Sequence, residues 1–418
     1  MEIKREIYLK KLINRMHNGM IKVITGMRRC GKSYLLFNLF YDYLISIGVK
    51  EDHIIKLALD NIKNKKYRNP EELYNFVESK IADDDMYYVL LDEVQFVEEF
   101  EDVLNGFLHI KNVDTYVTGS NAKFLSKDII TEFRGRGDQV HIFPLSFKEF
   151  FSVSNEDKYN AFNNYMIYGG LPFISTLKTH EQKTTYLKNI LEETFIKDII
   201  DRNKIQRTEE FEELIDILSS SIGSLTNPLK LENTFKSVKH LKLSAQTITS
   251  YINYLQDAFM ISKARRYDVK GRSYIDSPFK YYFSDLGLRN ARLNFRQIEE
   301  SHALENIIYN ELLLRGYSVD VGVVTTYAAT SNNPSRSKKN LEVDFICNFA
   351  DRRIYIQSAL SLPNKEKIEQ EQNSLKNIND SFKKIIITKD CSFTHYNDDG
   401  ILIMNLFDFL LDLDSLIK

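Results

Sequence analysis

The chain has no tryptophan, only three cysteines and only seven prolines in 418 residues. Three cysteines are too few for a disulfide framework, and their spacing fits no zinc site, so a reducing compartment is the expected setting. No run approaches the ~20 apolar residues that span a bilayer. The longest apolar stretch near the C-terminus, 401–411, is broken by Asn405 and Asp408. Residues 1–15 are charged and lack the apolar core and small-residue cleavage site of a signal peptide. The chain therefore reads as cytoplasmic, with no membrane partner. An excess of one sign of charge is also missing: 56 Lys and Arg face 58 Asp and Glu, a formal −2. Bulk charge thus gives no argument for a polyanion partner. A hydrophobic share of 43% with 27% charged residues excludes disordered and collagen-like chains. At ~150 residues per domain, about two to four domains are expected.

What is present begins with a short apolar strand, 21–25, followed by Gly26-Met27-Arg28-Arg29-Cys30-Gly31-Lys32-Ser33 and a helical stretch over 34–46. Strand, G-x-x-x-x-G-K-[ST] and helix, in that order, make a phosphate loop. The glycines let backbone N–H groups converge on phosphate oxygens at a helix N-terminus. Lys32 supplies charge for the β and γ phosphates, and the Ser33 hydroxyl is placed for Mg²⁺. Cys30 occupies a variable position of the loop.

A second apolar run, 87–91, ends in Asp92 and Glu93. One carboxylate for the metal and one to polarise a water is the pair that phosphate hydrolysis needs. A third run, 114–118, ends in Gly119, Ser120 and Asn121, either of the last two able to reach a water or a γ-phosphate. Arg134 and Arg136 follow among glycines, before another strand. Either is a candidate to stabilise transition-state charge, within the chain or on a neighbouring subunit, and either also reads as a surface charge. Strands near 21–26, 53–59, 87–92, 115–120 and 139–143 with helices between them predict a βαβ series and a parallel sheet.

With 143–150 (Phe-Pro-Leu-Ser-Phe-Lys-Glu-Phe) and 168–172 (Tyr-Gly-Gly-Leu-Pro) added, these motifs resemble AAA-type ATPases. More narrowly, they resemble the bacterial and archaeal family in which an AAA domain precedes a C-terminal domain of uncharacterised function. The resemblance covers nearly the whole chain. It implies an additional-strand P-loop ATPase that uses ATP and Mg²⁺. Gly26, Met27, Arg28, Arg29, Cys30, Gly31, Lys32, Ser33 and Tyr34 would surround the nucleotide. Ser33 and Asp92 would serve the metal, Glu93 would be the base, Asn121 the polar sensor and Arg136 the arginine finger.

Beyond the first domain, residues 192–201 show helical spacing, as in a small lid. The charge then changes character. Residues 229–272 hold nine basic and three acidic residues, a local +6, whereas 71–102 hold twelve acids and one lysine, a local −11. The formal near-neutrality is a cancellation. Within the basic segment, 243–255 predicts an amphipathic helix capped by Ser244, followed by strand, turn and strand, a winged-helix order. Gln246, Thr247, Thr249 and Ser250 are placed to face the major groove of duplex DNA, and Lys263, Arg265, Arg266, Lys270 and Arg272 to meet phosphates. The same module serves protein interaction in other chains.

The tail has a helix over 302–315 carrying Glu305, a strand over 341–346 carrying Asp344, and a strand over 353–360 carrying Gln357 and Ala359. This is the order of restriction-endonuclease-like folds, in which acids hold a metal and a lysine orients water. Ala359 stands where the lysine belongs, so the expectation is an inactive platform. Residues 327–339 read as a hairpin loop.

The expected fold is therefore α/β. It comprises a P-loop NTPase parallel sheet (1–150), a helical lid (151–204), a winged helix (205–294) and a small restriction-endonuclease-like domain (295–418). The expected function is Mg²⁺-dependent ATP hydrolysis that positions the C-terminal module on DNA or a protein client. A nucleotide-switched binder with negligible turnover, an ATP-driven nuclease and an oligomer remain open.

Overall fold

Four short runs rich in Ile, Val, Leu and Tyr, joined by the more polar Gly137–His141, build the first sheet. The computed structural model describes residues 3–119, 135–239, 241–296, 298–330 and 333–417. Strands β1 (Ile21–Thr25), β2 (Ile54–Ala58), β3 (Tyr87–Asp92), β4 (Val113–Thr118) and β5 (Gly137–His141) lie in the order β2-β3-β4-β1-β5, all parallel. β1 and β3 are buried along their whole length, which is why they read as continuous apolar runs. Lys22 is the exception in β1. It is buried against Asp114 of β4, whose other oxygen accepts the Tyr116 hydroxyl at 2.8 Å. Burial lowers the lysine pKa, and Asp114 opposes that shift.

On one side, Val23, Leu91 and Val117 pack with Leu73 from the helix Pro70–Lys80 and Phe107 from the helix Phe100–Phe107. Asn69 caps the former by accepting the Glu72 N–H at 3.1 Å, and Pro70 fills the first turn. The helix after the phosphate loop runs through Lys32–Tyr34, a π segment Leu35–Phe40, and Tyr41–Ser46. Its face of Leu35, Leu36, Leu39 and Phe40 is buried.

Two compact units result: Met1–Leu145 with Leu171–Thr176 and Asp257–Phe259, and Ser146–Gly170 with Leu177–Gln256 and Met260–Lys418. The 151–204 stretch is helical, as its spacing predicts, and apart from 171–176 it belongs to the second unit. There the Tyr168-Gly169-Gly170 motif has a packing cause. A Cβ on Gly169, which has φ +73°, would stand 2.3 Å from Asp285. The Gly170 N–H donates to that carboxylate at 2.7 Å, and Asp285 also caps the helix Leu286–Arg292 through the Leu288 N–H.

Helices Thr208–Ser220, Pro228–Ser237 and Ala245–Asp257 precede a hairpin of β6 (Ile261–Asp268) and β7 (Ser273–Phe283). Ser244 accepts the Thr247 N–H at 3.2 Å, and Ile248, Tyr251, Ile252 and Leu255 are buried as expected. The hairpin is not a free-standing wing. It continues into β8 (Ser318–Thr330), β9 (Asn333–Phe349), β10 (Arg352–Ala359), β11 (Lys383–Thr388), β12 (His395–Tyr396) and β13 (Leu402–Asn405). Together they form one eight-stranded sheet, β12-β13-β11-β10-β9-β8-β6-β7. A boundary at 294/295 thus falls between strands of one sheet, because β6 finds a parallel partner in β8 at Arg266↔Val321. Pairing across some 50 residues leaves no local sequence signal.

The stretch 327–339, expected as a loop, is mostly strand. Tyr327 lies opposite Lys338 and Thr330 opposite Asn333. Thr and Tyr favour strands, and Tyr327, Lys338 and Lys339 are exposed. Among the described residues no helix is long and apolar enough to cross a membrane.

Candidate functional site

The carboxyl ends of the first sheet carry the chemistry. Parallel register sets Thr118 against Ile24, His141 against Thr25 and Asp92 against Ala58. The residues that leave those ends therefore share one edge, where ligands bind in open α/β sheets.

At the end of β1 the chain turns into the phosphate loop. Gly26 has φ +143°, and a Cβ there would lie 2.3 Å from the Ile142 carbonyl oxygen. Only glycine fits this position. Gly31, at φ +100°, begins the helix at Lys32. Met27 and Cys30 are buried, whereas Arg29 and Tyr34 are exposed. The Lys32 ammonium donates to the Gly26 and Met27 carbonyl oxygens, both at 3.0 Å. Its charge is held by backbone dipoles, and no carboxylate pairs with it among the described residues.

Asp92 is buried at the end of β3. One of its oxygens accepts the Ser33 hydroxyl at 2.9 Å and the Thr118 hydroxyl at 2.5 Å. Burial raises its pKa, and the two hydroxyl bonds oppose the rise. A divalent cation at this oxygen would reverse the balance by favouring the charged form. Thr118 also accepts the Glu93 N–H at 2.9 Å. Glu93 has left-handed backbone (φ 55°), so the chain kinks just after Asp92. Its carboxylate accepts from the Gln95 amide. One threonine thus fixes the spacing of both acids.

On the other flank, Thr25 hydrogen-bonds the His141 Nδ1 at 3.1 Å and accepts from the Gln139 amide at 2.8 Å. Burial, then the Lys32 charge, pushes the His141 pKa down to about 4, so the ring is neutral near pH 7. The sequence assigned no role to Thr118 or His141. They stood inside the expected strands 115–120 and 139–143, and the structure makes each the last residue of its strand.

The structure brings together Gly26, Lys32, Ser33, Asp92 and Glu93. It does not bring Arg136 to them. That residue precedes Gly137, which pairs with Ile21 at the start of β1. Arg136 therefore sits at the amino edge, roughly 15 Å along the sheet from the loop at ~3.3 Å per residue. Ser120, Asn121 and Arg134 lie outside the described residues.

The donor set fits a nucleotide polyphosphate with a divalent cation. A glycine cradle that a Cβ would fill lies beside an ammonium with no carboxylate partner among the described residues, and a hydroxyl and a carboxylate already share one point.

A family model described as an AAA domain matches residues 18–151, and one described as a domain of unknown function (DUF8612) matches 159–299. An uncharacterised protein of Haemophilus influenzae is 34% identical over 98% of this chain and 98% of its own length. The chain belongs to the family of that protein. Its first part is an AAA-type ATPase domain. An uncharacterised protein of Methanocaldococcus jannaschii is 29% identical, covering 95% of this chain and 86% of that one. Among solved structures, the Aeropyrum pernix Orc1 protein in complex with DNA aligns at 12% identity over 70% of this chain and 93% of that chain. Its TM-score of 0.28 is too low to carry an argument.

Outside the AAA domain, the second unit gathers a different set. Glu305 and Asp344 are buried near one another, as the tail motif anticipated. Three further residues join them that the sequence did not single out. The Lys280 ammonium, from β7, lies 2.8 Å from Glu305, 2.7 Å from Glu342 and 4.0 Å from Asp344. The Tyr282 hydroxyl also donates to Glu305, at 2.5 Å. Asp344 accepts the Ser358 N–H at 2.8 Å. Burial and then the Glu305 charge raise its pKa to about 8. Gln357 faces the Asp344 N–H only loosely, at 3.4 Å, and Ala359 is buried in the apolar core. A lysine does meet these acids, then, but from another strand, and it stands among the carboxylates rather than beside a metal position.

Proposed function

We propose that the chain is a Mg²⁺-dependent ATPase whose nucleotide state positions its second unit on a nucleic acid. The observation that carries the ATPase reading is the shared Asp92 oxygen, which joins Ser33 of the loop to Thr118 next to a glycine cradle. When bound, ATP supplies the phosphoanhydride and Mg²⁺ offsets its charge. Lys32 would leave its carbonyl partners for phosphate oxygens. Ser33 and Asp92 would hold the cation, and Glu93 would take the proton of the attacking water. Arg136, at the opposite edge, would serve a neighbouring copy's nucleotide. Ser120, Asn121 and Arg134 stay as proposals from the resemblance.

The DNA part of the reading rests on the basic 229–272 segment, with Gln246 and Thr249 exposed on its helix. A protein client is the second reading, favoured by the hairpin that is tied into a larger sheet instead of standing free as a wing.

Two variants separate binding from chemistry. Lys32→Ala should abolish ATP binding. Glu93→Gln should bind ATP normally and lose about 10²–10⁴-fold in turnover. A Glu93→Gln protein that hydrolyses ATP like the wild type would show the base to be misassigned.

A further inference from the structure

The basic residues of the second unit converge where the sequence did not place them together. The turn after β6 carries Lys270 and Arg272, and the start of β10 carries Arg352 and Arg353. All four line a cleft of about 720 Å³ at one end of the eight-stranded sheet, together with Tyr267 and Phe382. Two acids also reach it. Asp380 is occupied by the Tyr355 hydroxyl at 2.7 Å and the Phe382 N–H at 3.2 Å, while Asp351 is exposed. The local charge is therefore positive.

The four cations are not equivalent. Arg353 is built in: its Nε donates to the Asn348 side chain at 2.8 Å, and its guanidinium lies 5.5 Å from the Tyr267 ring and 5.7 Å from the Phe382 ring. Lys270 donates to the Thr325 carbonyl oxygen at 2.9 Å. Arg272 and Arg352 are exposed and have no hydrogen-bond or ion-pair partner among the described residues. The cleft thus offers two uncommitted guanidinium groups, which suit phosphate oxygens. Beside them the Arg353 guanidinium lies near two rings, of which Phe382 is 42% exposed.

We propose that this cleft binds single-stranded nucleic acid, with backbone phosphates on Arg272 and Arg352 and a base stacked on Phe382. The aromatic wall selects the single strand. A duplex keeps its base faces stacked inside and offers such a wall only phosphates, whereas an unpaired base presents a π face. Phe382 stands just before β11, at the mouth of the cleft. Nine of the thirteen lining residues come from 348–382, outside the basic segment, so charge counting along the sequence does not find the cleft. The proposal rests on the reading of the second unit as a nucleic-acid module and names its contact surface.

The test uses the full-length protein and a fluorescent oligothymidine of about 16 nucleotides, followed by anisotropy across a salt series. An oligouridine arm and a duplex arm run in parallel. Wild type should bind both single strands more tightly than the duplex. The Arg272→Ala/Arg352→Ala protein should lose at least about tenfold in affinity. Its dependence of log K on log salt should flatten by about 1.4, from ~0.7 per lost phosphate contact on single strands. Phe382→Ala should lose about fivefold or more with the salt slope unchanged. Arg352→Lys, which keeps the charge, should retain most of the affinity, and melting curves check that each variant folds. Silent cleft variants beside a Gln246→Ala/Thr249→Ala protein that loses binding would overturn the cleft and leave the nucleic-acid reading standing. Tighter binding to duplex would also overturn the cleft. Absence of binding to any oligonucleotide would overturn both.

Discussion

Two lysines among carboxylates and hydroxyls define the two halves of this molecule, and they are held in opposite ways. Lys32 leans on two carbonyl oxygens. Lys280 is clamped by Glu305 and Glu342, with Asp344 close by. The first charge is supported by dipoles and meets no carboxylate among the described residues, which leaves it open to the polyphosphate proposed above. The second is neutralised by the fold itself. Similar residue types thus make a receptor in one place and a strut in the other. The difference lies in whether the partner of the buried cation is a dipole or an anion.

Exchanging each lysine for a neutral residue should separate the two most sharply. Lys280→Met should cost ~3–5 kcal/mol of folding stability, because it strands two carboxylates in a mostly buried site. Urea unfolding checks this, and adding Glu305→Gln should recover part of the loss. Lys32→Met should leave the unfolding midpoint almost unchanged. Comparable stability losses in both variants would erase the distinction.

A smaller effect is expected at Thr118, which hydrogen-bonds Asp92 and Glu93 together. Thr118→Val keeps the shape and removes both bonds, at about 1–3 kcal/mol for the unsatisfied groups. It should lower ATP turnover more than it raises the KM for ATP, since it loosens the two acids and leaves the phosphate loop intact.

The pH dependence of stability sharpens the strut side. The Asp344 pKa is raised above its ordinary value of 3.8, to about 8 in the folded protein. The folded state therefore holds this proton more tightly than the unfolded chain does. That contribution is fully present below about pH 4 and is lost as the pH rises through about 8. Melting temperatures of wild type should fall across that window by more than those of Asp344→Asn, with the two curves converging on acidification. The smallest effect belongs to the receptor side. The His141 pKa of about 4 predicts no histidine step in the ATPase rate between about pH 5 and 8, and His141→Gln should leave that part of the profile flat.

Much of the AAA domain was legible because its chemistry is contiguous. Gly26 to Ser33 is one turn and one helix start, and Asp92-Glu93 is one strand end, so local backbone geometry brings these residues to bear. β1 and β3 were legible from their apolar runs, which burial on both faces demands. Thr118 and His141 were not singled out, because their importance comes from which strand lies next to which. Arg136 read as a finger because glycines flank it; register places it at the far edge of the same sheet. The tail shows the same limit more strongly. Glu305 and Asp344 were found through their spacing, but Lys280 comes from a hairpin that the sequence assigned to a wing.

By itself, then, the amino-acid sequence determined the phosphate loop, the paired acids, the parallel sheet and the helical spacing of 243–255. Each of these is a property of neighbouring residues and of backbone preference. Only the tertiary structure decided that Thr118 joins the two acids, that a lysine from β7 fills the acid cluster, and that Arg272 and Arg352 face one cleft. These are contacts between strands tens of residues apart. Strand pairing sets them, and a one-residue slip in register would undo them.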